Sequence, residues 1–229
     1  MRRVPCGPSP LQPFLSRPAR RAFLGLALGL ALAGCGARQR GAEVPAGATV
    51  LALGDSLTFG TGAAPEAAYP AVLASLSGWQ VVNAGIPGDT SAGALARLPG
   101  LLQEHAPKLV IVGIGGNDFL RRLPPADTRA NVRAICQQAL AAGAQVLLVA
   151  IPEASAMAAA TRSLADHPLY AELADALKLP LHAEGWSDVL NDPALRSDPI
   201  HANAQGYEAF ARGLAGRMRA LGLLAERRA

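Results

Sequence analysis

Cysteine is scarce in this chain of 229 residues: there are three, and only Cys136 lies beyond residue 47. A domain built from that part of the chain has no internal disulfide and must rely on its core. Cys136 falls on an apolar helical stripe with Val132, Ile135, Ala139 and Leu140, which marks it as a small buried hydrophobe and not a nucleophile. Acidic residues are absent from positions 1–34, which hold Arg2, Arg3, Arg17, Arg20 and Arg21. Without that stretch, 16 Lys and Arg face 17 Asp and Glu, so the sequence pI of about 9.3 belongs to the front of the chain. A basic nucleic-acid surface is thereby excluded. No internal repeat occurs, and Ala-rich 154–160 is the nearest approach to low complexity. Several motifs are missing as well. No Lys follows Gly54-Asp-Ser-Leu-Thr-Phe-Gly60-Thr-Gly62 to make a P-loop, and no G-x-G-x-x-G opens a helix after the first predicted strand. No G-x-S-x-G elbow surrounds a serine, and the scattered histidines offer no zinc cluster.

The front of the chain reads as an export signal. A positive segment ending at Arg20-Arg21 precedes an apolar run from Phe23 to Ala33. That run is shorter than the roughly 20 apolar residues a membrane span needs. Arg20-Arg21-Ala-Phe-Leu24 resembles a twin-arginine signal, although Ala19 precedes the pair. Leu32-Ala-Gly-Cys35 then resembles the bacterial lipobox, which implies cleavage before Cys35 and lipidation of that cysteine. Gly36 in place of Asp after the cysteine favours an outer-membrane anchor by the same analogy. The expected organisation is a signal peptide over 1–34, a lipidated cysteine with a flexible tether over 35–47, and one domain over 48–229.

Within that domain, short Val- and Ile-rich runs at Thr49–Leu53, Gln80–Asn83, Leu109–Ile114, Gln145–Ile151 and, more weakly, Leu179–His182 predict five strands. Helical patterns separate them at Tyr69–Leu76, Ala92–His105, Thr128–Ala142 and Leu169–Leu177. A last helix follows Asn203, a good N-cap, and stacks Tyr207, Phe210, Leu214, Met218 and Leu221. Such alternation predicts an α/β domain with a parallel sheet and helices on both faces. Ligands bind such sheets beyond the carboxyl ends of the strands. Ser56, Gly88 and Asn117 each fall just past a strand end, so three candidate groups share one edge.

Ser56 on its own is also a good helix N-cap. As a nucleophile it needs a base. Of His105, His167, His182 and His201, only His201 has a carboxylate at a spacing that suits a turn, Asp198 three residues before it. Pro199 biases Asp198 to extended backbone, so the turn can present both side chains together. His201 would take the Ser56 proton and Asp198 would hold the imidazole. The backbone N–H groups of Ser56 and Gly88 and the Asn117 amide are candidate donors to a tetrahedral oxyanion. Asp55 and Asp118, catalytic by type, read as structural support beside Ser56 and Asn117.

Gly54-Asp-Ser-Leu57, Asn83-Ala-Gly-Ile-Pro-Gly-Asp-Thr-Ser91, Gly115-Gly-Asn-Asp118 and Asp198-Pro-Ile-His201, in this order, resemble the SGNH (GDSL) hydrolases. The similarity is greatest to the arylesterase, thioesterase I and lysophospholipase group and covers about residues 49–215. It implies a flavodoxin-like three-layer α/β/α fold around a five-stranded parallel sheet, a Ser56-His201-Asp198 triad, and Gly88 and Asn117 in the oxyanion hole. It also implies a small acyl-ester or lipid substrate, no metal, no cofactor and no obligate protein partner. Within the same fold, a deacetylase of envelope or extracellular glycans is the alternative enzyme. A non-catalytic envelope binding lipoprotein is the alternative outside catalysis. Two departures stand out. The family's Asp-Gly-Ile-His-Pro is Asp198-Pro-Ile-His-Ala202 here, and Pro152–His167 lacks similarity to the thioesterase I group. That segment reads equally as an acyl-groove lining or as a surface loop and helix.

Overall fold

The strands form where the short apolar runs were expected, and most stop at a glycine. In the computed structural model, which describes residues 41–153 and 164–226, they are β1 (Thr49–Gly54), β2 (Gln80–Gly85), β3 (Leu109–Gly113), β4 (Gln145–Val149) and β5 (Leu181–His182). Their order across the sheet is β2-β1-β3-β4-β5, and every pairing is parallel. β1 and β3 are almost wholly buried on both faces, which is why they are continuously apolar and do not alternate.

The helices are α1 (Ser56–Phe59), α2 (Tyr69–Ser77), α3 (Ser91–His105), α4 (Gly116–Leu120), α5 (Pro125–Ala141), α6 (Leu169–Leu177), α7 (Gly185–Asn191) and α8 (Ala204–Ala220). Right-handed crossovers put α2 on one face of the sheet and α3, α5 and α6 on the other. The last helix, α8, returns to pack on α2 and α7. Caps fix where the long helices begin. Thr90 accepts from the Gly93 N–H at the start of α3, and Asn203 accepts from the Gly206 N–H at the start of α8. Each such cap contributes about 1 kcal/mol. The α8 face buries Tyr207, Phe210, Leu214 and Met218. Trp186 of α7 stacks on Phe210 at 3.6 Å, and Tyr69 meets both rings edge-on.

Some expectations need correction. Residues 41–47 are not a flexible tether. The Gly41 N–H donates to Leu221 O, the Ala42 main chain exchanges two bonds with the Gln145 amide, and Val44 is buried with its carbonyl accepting from Trp79 Nε1. Leu140 leaves the Cys136 stripe and is 42% exposed, because α5 turns it to solvent. Cys136 itself is buried, which pushes its thiol up to about 12. The first helix after β5, α7, was not expected, since seven residues are too few for a 3.6-residue period to register. β4 stops at Val149 and β5 starts at Leu181, both shorter than their apolar runs. Cys35 and the signal segment lie outside the described residues, as does 154–163 of the Pro152–His167 segment.

One buried polar group makes the fold sensitive to acid. His182 lies under α8 against Phe210 and Gly185, and its Nε2 has no partner among the described residues. Burial, and secondarily the Arg217 charge, lowers its pKa from 6.5 to about 4. The unfolded chain therefore takes up this proton first as pH falls. The native state keeps its full advantage above the unfolded value and loses about 3 kcal/mol between there and the folded value. His182→Leu is expected to flatten this part of the melting-temperature profile. Equal pH slopes in both proteins over that window would contradict the account.

Candidate active site

The strand order places a switch point between β1 and β3: from β1 the chain goes first to one side and then to the other. Crevices of this kind open beyond the carboxyl ends of the two strands. Ser56 follows β1 and Asn117 follows β3, so they flank this crevice. Asp55, not Ser56, caps α1, its carboxylate accepting from the Leu57 N–H at 3.1 Å. Ser56 is thus released from the capping role that its position suggested. As the first helical residue, its own N–H has no acceptor within the helix.

His201 arrives from the other end of the chain. Its Nε2 lies 3.0 Å from Ser56 Oγ and its Nδ1 lies 2.7 Å from Asp198 Oδ2. The other carboxylate oxygen, Asp198 Oδ1, accepts from the main-chain N–H groups of Ile200 and His201. Pro199 interrupts none of this, because the turn uses the N–H groups of residues 200 and 201 and asks nothing of residue 199. Further back, Ser197 N–H donates to His201 O and Asn203 N–H to Leu195 O, which close the loop onto the start of α8. Partial burial pushes the Asp198 carboxyl up, but the bond from the His201 ring and those from Ile200 and His201 N–H outweigh it and hold it below the ordinary carboxylate range. An ionised Asp198 keeps the proton on Nδ1 and leaves Nε2 to accept from the serine hydroxyl.

Gly88 and Asn117 come to the same cavity. Gly88 has φ +77°, a left-handed conformation that suits glycine. Asn117 Nδ2 donates one hydrogen to Asp89 O at 2.9 Å, which fixes the amide against the loop that carries Gly88. The cavity holds about 210 Å³; Asp55 and Thr61 also reach it, and the rest of its wall is largely apolar, with Leu57, Leu120, Ile151, Leu164, Leu190 and Ile200. Pro152 and Leu164, both of the Pro152–His167 segment, are in its wall.

The remaining acidic and histidine residues sort themselves by partner. Asp55 is buried, which raises its carboxyl to about 6 against the pull of the Leu57 N–H and the His201 charge. Asp118 is buried as well and accepts from Ser91 N–H, Ser91 Oγ–H and Thr128 Oγ1–H, tying α4 to α3 and α5. His105 sits beside Glu104, His167 stacks on Phe119, and His182 is in the core. None of the three lines the cavity. Among the described residues, no group of three or more His, Cys, Asp and Glu converges as metal ligands. Sequence reasoning missed Arg97 and Arg121, whose guanidinium groups bond main-chain carbonyls of the site loops, Gly54 O and Gly88 O. The partners are 43 and 33 residues away, so no local pattern announces them.

Residues 52–209 match the model of the GDSL-like lipase/acylhydrolase family. The thioesterase 1/protease 1/lysophospholipase L1 of Escherichia coli K12 is 41% identical over 160 residues, 68% of this chain and 76% of that protein. Esterase TesA of Pseudomonas aeruginosa is 42% identical over 127 residues, 53% of this chain and 63% of that one. A crystal structure of TesA superposes with a TM-score of 0.66 at 32% identity, covering 76% of this chain and 99% of the other.

Removing the Asp118 carboxylate would strand three donors in the protein interior. Asp118→Ala is expected to lower the free energy of unfolding by about 3 kcal/mol, since unsatisfied buried groups carry their full desolvation cost. Urea denaturation measures it, and a loss below about 1 kcal/mol would contradict the supporting role given to this residue.

Proposed function

Because the chain belongs to the GDSL-like lipase/acylhydrolase family and is a carboxylic ester hydrolase, we propose that it works through Ser56, His201 and Asp198, with oxyanion donors from Ser56, Gly88 and Asn117. The observation that carries this reading is the unbroken relay from Asp198 Oδ2 to His201 to Ser56 Oγ at the wall of the apolar cavity. Ser56 Oγ attacks the ester carbonyl carbon while its proton passes to His201 Nε2. The carbonyl oxygen becomes an oxyanion facing the three N–H donors. Collapse breaks the carbon–oxygen bond, the leaving alcohol takes the proton from Nε2, and an acyl-Ser56 remains. Water then repeats the sequence with His201 as base and releases the acid. Loss of one oxyanion donor costs about 2.7–4 kcal/mol of transition-state stabilisation.

The substrate is an acyl ester whose acyl group enters the cavity. A volume of about 210 Å³ lies below the usual range for drug-sized ligands and favours short and medium acyl chains over long ones. Aryl esters, thioesters and lysophospholipids are all compatible with an apolar wall of this kind. The protein is exported and held at the bacterial envelope by lipid on Cys35, facing the periplasm from the outer membrane. Support for this comes from Leu32-Ala-Gly-Cys35 after the apolar run.

Hydrolysis of p-nitrophenyl esters across acyl lengths tests the catalytic reading. Activity is expected to peak at short to medium chains and to vanish in Ser56→Ala, and equal rates for the two proteins would overturn it. Cleavage of acetyl esters alone would point to the glycan deacetylase instead. For the anchor, Cys35→Ser is expected to move the protein from membrane to soluble fractions. A wild-type protein found wholly in the soluble fraction would overturn the lipidation reading.

A further inference from the structure

Arg97 sits on α3, away from the reacting atoms, with its side chain 21% exposed. Its Nε donates to Asp89 Oδ2 at 2.9 Å and its Nη2 donates to Gly54 O at 3.0 Å. Those two acceptors belong to different parts of the site. Gly54 ends β1 and stands two residues before Ser56. Asp89 follows Gly88, and its main-chain carbonyl is the group that accepts from the Asn117 amide. One rigid guanidinium therefore touches the strand end that delivers the nucleophile and the loop that delivers Gly88 and holds the Asn117 amide.

The surroundings are shaped for this contact. A Cβ at Gly93 would stand 2.0 Å from Asp89 Oδ1, so α3 bares its backbone there to admit the carboxylate. Asp89 Oδ1 also accepts from the Thr90 N–H, which fixes the side chain that Arg97 reads. The Asp89 side chain is only 12% exposed, so the ion pair is largely shielded from water. Such a pair is costly to break from one side.

We propose that Arg97 is a positioning residue that sets the separation between Ser56 Oγ and the oxyanion donors, through Gly54 O on one side and Asp89 on the other. The proposal rests on the catalytic reading given above. It assigns Arg97 no contact with substrate. The oxyanion must meet donors from three segments at once, and a displacement of about 1 Å between nucleophile and donors can cost about 100-fold in rate. Substrate binding in the apolar cavity does not depend on that separation to the same degree.

Steady-state hydrolysis of a p-nitrophenyl ester by Arg97→Ala, Arg97→Lys and Asp89→Ala tests it. Arg97→Ala is expected to lower kcat by about 10- to 100-fold with KM moved less than about twofold. Lysine keeps the positive charge beside Asp89 but lacks the fork that reaches two acceptors. Arg97→Lys should therefore melt near the wild-type temperature yet stay slow, which keeps the test valid if the alanine variant fails to fold. In the combined Arg97→Ala/Asp89→Ala protein, kcat should fall no further than in the slower single variant. The acidic limb of the pH profile of kcat/KM, which reports the triad, should not move. Wild-type kcat in Arg97→Lys, or a loss shared equally by kcat and KM, would overturn the proposal. Wild-type activity in Ser56→Ala would instead remove the catalytic reading beneath it.

Discussion

The site depends on the register of β1 between its two neighbours. Gly54 is paired with Gly85 of β2 on one side and with Gly113 of β3 on the other, so three parallel strands end level. Chains leaving level ends of a parallel sheet emerge over the same edge, which is how residues 56, 88 and 117 reach one cavity. A shift of β1 by one residue would exchange the faces of its side chains and carry Ser56 off the crevice. Glycine is needed at these ends for space. A Cβ on Gly54 would lie 2.0 Å from Thr58 Oγ1 and 2.5 Å from Gly113 O, and one on Gly85 would lie 2.1 Å from Phe59 N. The turn that presents Ser56 can fold this tightly only against bare backbone.

Three carboxylates near that edge show how one residue type is given different work by its partners. Asp55 caps a four-residue helix and is raised to about 6 by burial. Asp118 is enclosed by three donors from α3 and α5 and braces the helix that carries Asn117. Asp198 is 45% exposed yet held ionised by its bonds from His201 and Ile200. Only the last is aimed at an imidazole that reaches the serine. Proximity to Ser56 in sequence is therefore a poor guide to which carboxylate reaches it through an imidazole, since Asp55 adjoins Ser56 and Asp198 lies far along the chain.

Much of this was legible because it rests on local signals. Apolar runs ending in glycine gave the strands, their alternation with helical periods gave the parallel sheet, and Asp198-Pro-Ile-His201 contains its own turn. The unreadable parts depend on contacts between distant segments. Residues 41–47 have the composition of a linker, but Val44 finds a buried place beneath Trp79 and the Gln145 amide satisfies the Ala42 main chain. Leu140 looked like core because it extends an apolar stripe by one residue, and a helix turns about 100° at each step. Arg97 was invisible for the same reason as residues 41–47: its acceptors are a carbonyl and a carboxylate brought to it by the fold.

The longest of these connections has a consequence for how activity and folding are linked. Ser56 and His201 are 145 residues apart, and their hydrogen bond closes only when α8 is seated. The seat is provided by Phe210 on Trp186, by Tyr69 against both, and by the Tyr207 hydroxyl donating to Thr61 O just beyond α1. That last bond runs from the helix that follows His201 to the turn that follows Ser56. Docking of the final helix and alignment of His201 with Ser56 are thus parts of one event. Loosening of α8 would separate His201 from Ser56 while leaving β1, β3, Gly88 and Asn117 in place. Gly88 and Asn117 belong to the sheet edge, and Asp198 and His201 belong to the loop that the last helix anchors.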